Sequence, residues 1–241
     1  MFESTQCAVV IPCFNESATI AAVALAVRRQ AARVLVVDDG STDGTAEAAR
    51  LAGAIVVRHE SNRGKGAALR TGLSRALNDG YAWAVTVDGD GQHVPGDLPA
   101  LFQCAQATGA SLVIGNRMHE ARKMSWLRRQ VNRWMSRQLS RRANQFLPDT
   151  QSGLRLIHLE TWAALPLKAE RFEAESETLM VFLAAGQRVE FVPVQVVASG
   201  RASRIHPVAD TVRWFKWWRT CRGAKAGGKF APKPAAQFVG L

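Results

Sequence analysis

Apolar residues in the first half of this chain come in short unbroken runs rather than in alternation, and each run stops at a turn. The runs predict five strands, Ala8–Pro12, Val34–Val37, Ala54–Val57, Ala82–Val87 and Leu112–Ile114. Short apolar runs bounded by turn residues read as strands buried on both faces. Helical stretches lie between them at Ala18–Gln30, Thr45–Leu51, Ala67–Leu77 and about Asp97–Ala107. The first is Ala-rich and follows the cap-forming residues Asn15, Glu16 and Ser17. Strand and helix in this alternation imply an α/β fold with a doubly wound, mostly parallel sheet.

Past residue 117 the pattern changes. Between Ala121 and Pro148 there are eight basic residues and no acidic one. Leu127, Val131, Trp134 and Gln138 recur at helical spacing, with Met135 and Leu139 widening the stripe, which predicts a basic amphipathic helix over 122–142. A short strand at Gly153–Ile157, a helix at Glu175–Ala185, a strand at Arg188–Val197 interrupted by Pro193, and a last helix from Pro207 to about Thr220 follow. Residues 221–241 are Gly, Ala, Lys and Pro without periodicity, and are expected to form a disordered basic tail. The 241 residues thus suit one domain over 1–220 plus a tail.

Composition narrows the partners. A net charge of +11 points to anions: nucleotide phosphates, phospholipid, a lipid phosphate or nucleic acid. Cys7, Cys13, Cys104 and Cys221 are scattered without a C-x-x-C pair, so neither a zinc site nor a disulfide framework is expected, and the setting is a reducing cytosol. The N-terminus lacks the basic and apolar regions of a signal peptide. The longest apolar run, Ile20–Val27, is too short to span a bilayer, so membrane contact is expected to be peripheral.

The richest chemistry lies at Val85–His93, V-T-V-D-G-D-G-Q-H. Asp88 and Asp90 end a strand, separated by Gly89, and with Gln92 form an all-oxygen set suited to Mg²⁺ or Mn²⁺. Asp and Gly also cluster in turns for backbone reasons alone, so the motif in isolation reads first as a tight turn. An EF-hand is excluded, because His93 stands at the obligatory Gly and Pro99 at the bidentate Glu. Gly64-Lys65-Gly66 is not a P-loop: His59 replaces the first Gly and Gly66 the Ser or Thr. No G-x-G-x-x-G follows the first strand, which disfavours a dinucleotide fold. Three loops at C-terminal strand ends, Asp38–Asp43, Asp88–His93 and Gly115–Arg117, would share one sheet edge and one crevice. There Lys65 and Arg117 could meet phosphates, and Asp38 or Asp39 a base N–H or ribose hydroxyl. The Asp38–Asp43 loop serves equally well as a capped strand-to-helix turn.

The ordered set I-P-C-F-N-E, V-V-D-D-G-S-T-D-G-T, N-R-G-K-G-A-A-L-R-T-G, D-G-D-G-Q-H and D-T-Q-S-G-L-R resembles the family 2 glycosyltransferases of GT-A fold. More narrowly it is similar to the dolichol- and polyprenol-phosphate hexosyltransferases. The resemblance implies a nucleotide-sugar-binding half at 1–117 and an acceptor and membrane-facing half at 118–220. By it, Asp90 and Gln92 touch the metal and Asp88 serves the ribose or the metal. Pro12, Asn15, Glu16, Asp38, Asp39, Lys65 and Gly89 line the nucleotide-sugar pocket, and Arg117 faces phosphate. Asp149 and Gln151–Arg155 match an acceptor-side segment, which puts Ser152 and Arg155 beside the acceptor. Arg201, Ser203 and Arg204 resemble an acceptor-phosphate loop, and Arg129 and Arg133 of the basic helix join them. Gly89 stands where the family more often has Ala, and the transmembrane helices of some members are lacking.

The implied reaction is inverting displacement of a nucleoside diphosphate, GDP or UDP, from a hexose. A hydroxyl acceptor would need a general base, Glu175 or Glu177, both of which also suit a charged first helical turn. A lipid phosphate would need none. Trp214, Phe215, Trp217 and Trp218, interleaved with Arg213, Lys216 and Arg219, are read as a headgroup-level anchor at the inner face of the cell membrane, with a helix packing its Trp against the sheet or a second subunit as the alternative. A hydroxyl acceptor is the alternative within the family. A nucleic-acid-binding protein using the arginine helix is the alternative outside enzymes, and it leaves the acidic turns idle.

Overall fold

The computed structural model describes residues 6–31, 33–197 and 207–220. Seven strands form one sheet: β1 (Cys7–Cys13), β2 (Arg33–Asp38), β3 (Ile55–Arg58), β4 (Trp83–Thr86), β5 (Leu112–Asn116), β6 (Arg155–His158) and β7 (Val189–Pro193). Their order is β3-β2-β1-β4-β6-β5-β7. β1 is central and buried at all seven positions, so both of its faces carry apolar side chains. Cys7, Val9, Ile11 and Cys13 face one layer, built on α1 (Ile20–Arg28), α2 (Thr45–Leu51) and α4 (Leu98–Thr108). Ala8 and Val10 face the other. That layer holds α3 (Lys65–Asn78), α5 (Trp126–Ala143), α6 (Leu159–Ala163), α7 (Ala174–Ala184) and α8 (Pro207–Thr220).

The parallel doubly wound half stands as the apolar runs predict it. The second half differs in informative ways. β6 enters between β4 and β5 and runs antiparallel to both. A four-residue strand buried on both faces carries no mark of its direction, so the run alone could not reveal this. α6, at five residues, is too short to show a period. The predicted basic helix divides into a 3₁₀ segment, Met118–Lys123, and α5, which Ser125 caps by accepting from the Arg128 N–H.

The buried face of α5 is also rotated from the expected stripe. Asn132, Met135, Ser136 and Leu139 are inside, whereas Leu127 is 48% and Trp134 40% exposed. Two polar side chains are inside because they have buried partners. Asn132 donates to Asp149 Oδ1 at 2.9 Å, and the Ser136 hydroxyl meets that of Thr150 at 3.1 Å. The tryptophan-rich turn of α8 is likewise redirected. Trp214 is 2% exposed and its indole N–H donates to Ser176 Oγ at 2.8 Å. Trp217 and Trp218 pack against the same core layer. These three tryptophans hold α8 to the domain, the alternative the sequence offers, while Phe215 of the same turn is 40% exposed. The predicted tail at 221–241 lies outside the described residues.

Gly72 lets α3 approach the sheet: a Cβ there would stand 2.3 Å from Val10 Cγ1 and 3.1 Å from Val37 Cγ2. Both neighbours are buried strand side chains that cannot swing away. Gly72→Ala is therefore expected to destabilise the protein by about 1–3 kcal/mol through overpacking. Urea unfolding followed by circular dichroism checks this; a gain in stability, as helix propensity alone would give, would contradict the close approach.

Candidate active site

β1, β2 and β4 are parallel neighbours, so the loops that follow them leave one edge of the sheet. They enclose a crevice of about 1140 Å³, at the large end of small-molecule sites. Pro12, Asn15, Glu16, Asp39, Lys65, Asp88, Gly89, Asp90 and Gln92 line it. So do Arg117, Arg128, Gln151, Glu175 and Trp214, with the apolar side chains Met124, Leu127, Val131 and Met135.

Lys65, at the start of α3, lies between two acids. Its ammonium is 2.6 Å from Asp88 Oδ1 and 2.7 Å from Glu175 Oε1. Burial alone would pull a lysine pKa down and push a carboxyl up. The opposite charges outweigh burial here, holding Lys65 above its ordinary value and Asp88 well below its own. His93 Nε2 stands 3.3 Å from Asp88 Oδ2 and contributes to the same shift. Gly153 closes the site from behind, since a Cβ there would stand 2.4 Å from Asp88 Oδ2. The Ser152-Gly153 step thus makes room for a carboxylate from another strand.

Asp90 also lines the crevice, its Oδ1 accepting from the Gln92 N–H at 3.0 Å. Two carboxylates on one turn form a hard donor pair that fits Mg²⁺ or Mn²⁺, leaving most of the shell to phosphate oxygens and water. The Gln92 amide oxygen, expected to complete the set, accepts from Arg128 Nη1 at 2.7 Å. Arg128 therefore reaches the acidic turn from α5.

Arg117 is set by a buried acid. Asp149 takes its Nε at 2.8 Å, its Nη2 at 3.0 Å and its backbone N–H at 3.1 Å. Burial raises the Asp149 carboxyl, but the Arg117 charge and these hydrogen bonds win and hold it at about 2.

Residues 8–160 match the protein family described as glycosyl transferase family 2, well over half of the chain. The chain belongs to that family. It is a glycosyltransferase, and its sheet is the GT-A fold of its structural neighbours. The UDP-N-acetylglucosamine–dolichyl-phosphate N-acetylglucosaminyltransferase of Methanococcus voltae is 28% identical over 211 residues, covering 78% of this chain and 84% of the relative. The undecaprenyl-phosphate mannosyltransferase of Micrococcus luteus is 33% identical over 181 residues, covering 68% and 71%. Glucosyl-3-phosphoglycerate synthase from Mycobacterium tuberculosis, solved with Mn²⁺, UDP and glucosyl-3-phosphoglycerate, superposes with a TM-score of 0.71 at 22% identity, covering 91% and 80%.

Within this glycosyltransferase the expected residues divide clearly. The crevice brings together Pro12, Asn15, Glu16, Asp39, Lys65, Asp88, Gly89, Asp90, Gln92, Arg117 and Glu175. Asp38 is fully buried outside it, accepting from the Ser41 N–H with Arg58 Nε 3.2 Å away. Asp39 binds His59 Nδ1 and the N–H groups of Arg63 and Gly64, which fixes the N-R-G-K-G loop. Arg155 is not an acceptor ligand: its guanidinium donates to the backbone carbonyls of Ser152, Thr150 and Glu175, and burial lowers it to about 10. Ser152 is fully buried beside it.

Glu177 cannot serve as a base for the crevice, because its carboxylate caps the N–H groups of Lys168 and Ala169. Arg129 and Arg133 do not line the crevice, and Arg128 takes the place expected of them. Only the helix phase decides among these three arginines, and the rotated stripe is what misdirects the choice. Arg201, Ser203 and Arg204 lie outside the described residues.

Because Asp149 is held at about 2 rather than the ordinary 3.8, its stabilisation is present above the ordinary value and fades as pH falls through the folded one. Asp149→Asn is expected to cost about 3 kcal/mol at neutral pH, since it leaves Arg117 buried and unpaired. The variant should also lose part of the stability slope that the wild type shows between about pH 4 and pH 2. Urea unfolding at stepped pH checks both. Equal stability of the two proteins at neutral pH would contradict the assigned pair.

Proposed function

We propose that this glycosyltransferase moves a hexose from a UDP- or GDP-linked sugar to a polyprenyl-phosphate-type lipid, working at the cytoplasmic face of the membrane. The observation that carries this reading is the composition of the crevice. An acidic turn, four arginines and an apolar wall face one cavity, and the buried carboxylates beside them are already engaged, Glu175 by Lys65, Asp149 by Arg117 and Asp39 by His59. A phosphate acceptor is already anionic and needs no base to remove a proton, whereas a hydroxyl acceptor does. Relatives named for dolichyl-phosphate and undecaprenyl-phosphate acceptors support the same choice.

In this reading Asp88 and Asp90 hold a divalent cation, Mg²⁺ or Mn²⁺, against the donor diphosphate. When bound, that cation offsets the charge that develops on the departing nucleoside diphosphate. Pro12, Asn15, Glu16 and Asp39 border the nucleoside. Arg117, held rigid by Asp149, and Arg128, tethered to Gln92, offer fixed donors to phosphate oxygens. Met124, Leu127, Val131 and Met135 exclude water beside the reacting atoms and accept the first apolar part of the lipid. Lys65 keeps Asp88 and Glu175 in place before the donor arrives.

Two assays test this. A thermal-shift panel of UDP-, GDP- and dTDP-sugars with Mn²⁺ should single out one nucleoside, with a shift that vanishes on chelation. Transfer of radiolabelled hexose should then occur to a short polyprenyl phosphate and not to the corresponding polyprenol. Transfer to the alcohol alone would overturn the acceptor assignment and return Glu175 to the role of base.

A further inference from the structure

The outward faces of α5 and α8 carry a surface that, Leu127 apart, the catalytic reading does not use. On α5, Trp126 is 65% exposed, Leu127 48% and Trp134 40%. On α8, Val212 is 49% and Phe215 40% exposed. Large apolar side chains gathered this way on a domain surface mark a contact site. The two helices lie side by side: Trp134 meets Trp214 edge-on with ring centroids 5.3 Å apart, and Arg142 Nη1 donates to the Trp218 carbonyl at 3.3 Å. Arg133, Arg137 and Arg141 of α5 and Lys216 and Arg219 of α8 are exposed between these side chains. Neither helix exposes an acidic side chain among its described side chains.

We propose that this α5–α8 face is the docking surface for an anionic lipid bilayer. Trp126, Leu127, Trp134 and Phe215 would seat at headgroup level, with the neighbouring arginines and Lys216 against lipid phosphates. Charge selects the occupant. A second copy of this chain would set one basic face against another, which costs energy across a desolvated contact. A nucleic acid would satisfy the charge but leave the exposed tryptophan and leucine in water. A bilayer of acidic phospholipid satisfies both. Leu127 belongs to this face and also lines the crevice, so the crevice opens where the bilayer would lie. The surface differs from the one the sequence suggests, since Trp214, Trp217 and Trp218 face inward.

The inference extends the lipid-acceptor reading but is tested without acceptor or donor. The full chain is co-sedimented with vesicles of phosphatidylcholine alone or mixed with phosphatidylglycerol. Binding is expected only to the mixed vesicles, weakening as NaCl rises to about 0.5 M. The double substitution Trp126→Ser and Phe215→Ser should lower the partition coefficient by about tenfold. Neither residue lines the crevice, so thermal unfolding and transfer to a detergent-solubilised polyprenyl phosphate should stay at wild-type values. Wild-type partitioning by the variant would overturn the docking face. So would equal binding to neutral vesicles, a dimer dissolved by the same substitutions, or tighter binding to duplex DNA than to the mixed vesicles. If vesicle binding behaves as expected but no polyprenyl phosphate is glycosylated, the acceptor reading fails and the docking face stands.

Discussion

Lys65 is the charge on which the site depends. It places one ammonium within 2.7 Å of two carboxylates that come from distant parts of the chain. Removing a buried charge costs several kcal/mol when its partner stays behind, so neither Asp88 nor Glu175 is tolerable in this crevice without it. The arrangement also sets a competition. A divalent cation held by Asp88 and Asp90 would share Asp88 with the ammonium already there, and the charge of a donor diphosphate would help to hold it. The pairing explains why a lysine stands between two glycines at the head of α3. Gly64 and Gly66 bring the helix start against the Ala169–Glu170 backbone, where a Cβ on either would collide at 2.6 to 2.8 Å. That contact brings α7 and Glu175 within reach of Lys65.

The same logic organises the second half of the domain. β6 is inserted antiparallel beside β4, and its approach carries Gly153 behind Asp88 and Asp149 beneath Arg117. The turn from Asp149 to Arg155 therefore forms the floor of the site, with Gln151 reaching the crevice. Arg155 ties that floor to α7, donating to the Thr150 and Ser152 carbonyls of the turn and to the Glu175 carbonyl of α7. Ser176 does the same for α8, accepting from both Gln151 and Trp214 at 2.8 Å. Each of these ties joins a loop to the sheet edge where the acids stand.

What could be read from the sequence follows from this division. The strands and helices through residue 117 are legible because each is a buried apolar run or a periodic helix, signals that are local in the chain. The acidic turn is legible for the same reason, since Asp88 and Asp90 adjoin the strand that holds them. Asp38 was misplaced because adjacent residues on a strand end point to opposite faces, and only the sheet decides which of Asp38 and Asp39 meets the crevice. On α5 the sequence points to Arg129 and Arg133, whereas Arg128 is the arginine that lines the crevice. Hydrophobicity marks one stripe, while Asn132 and Ser136 are inside through hydrogen bonds to Asp149 and Thr150. Trp214 misled in the same way, as an amphipathic side chain whose polar atom finds a buried hydroxyl. Arg128, Ser176 and Gly153 carry no signal in isolation, because each matters only through a residue it meets across the fold.

Binding of Mn²⁺, followed by electron paramagnetic resonance with and without UDP or GDP, bears most directly on the acidic turn as the metal and diphosphate site. On the proposed assignment the ion binds weakly to the free protein, because Lys65 is paired with Asp88, and tightly in the presence of the matching nucleoside diphosphate. Asp90→Ala, with its circular dichroism unchanged, should abolish the tight binding. Tight Mn²⁺ binding that persists in that variant, or that ignores both nucleotides, would contradict the assignment.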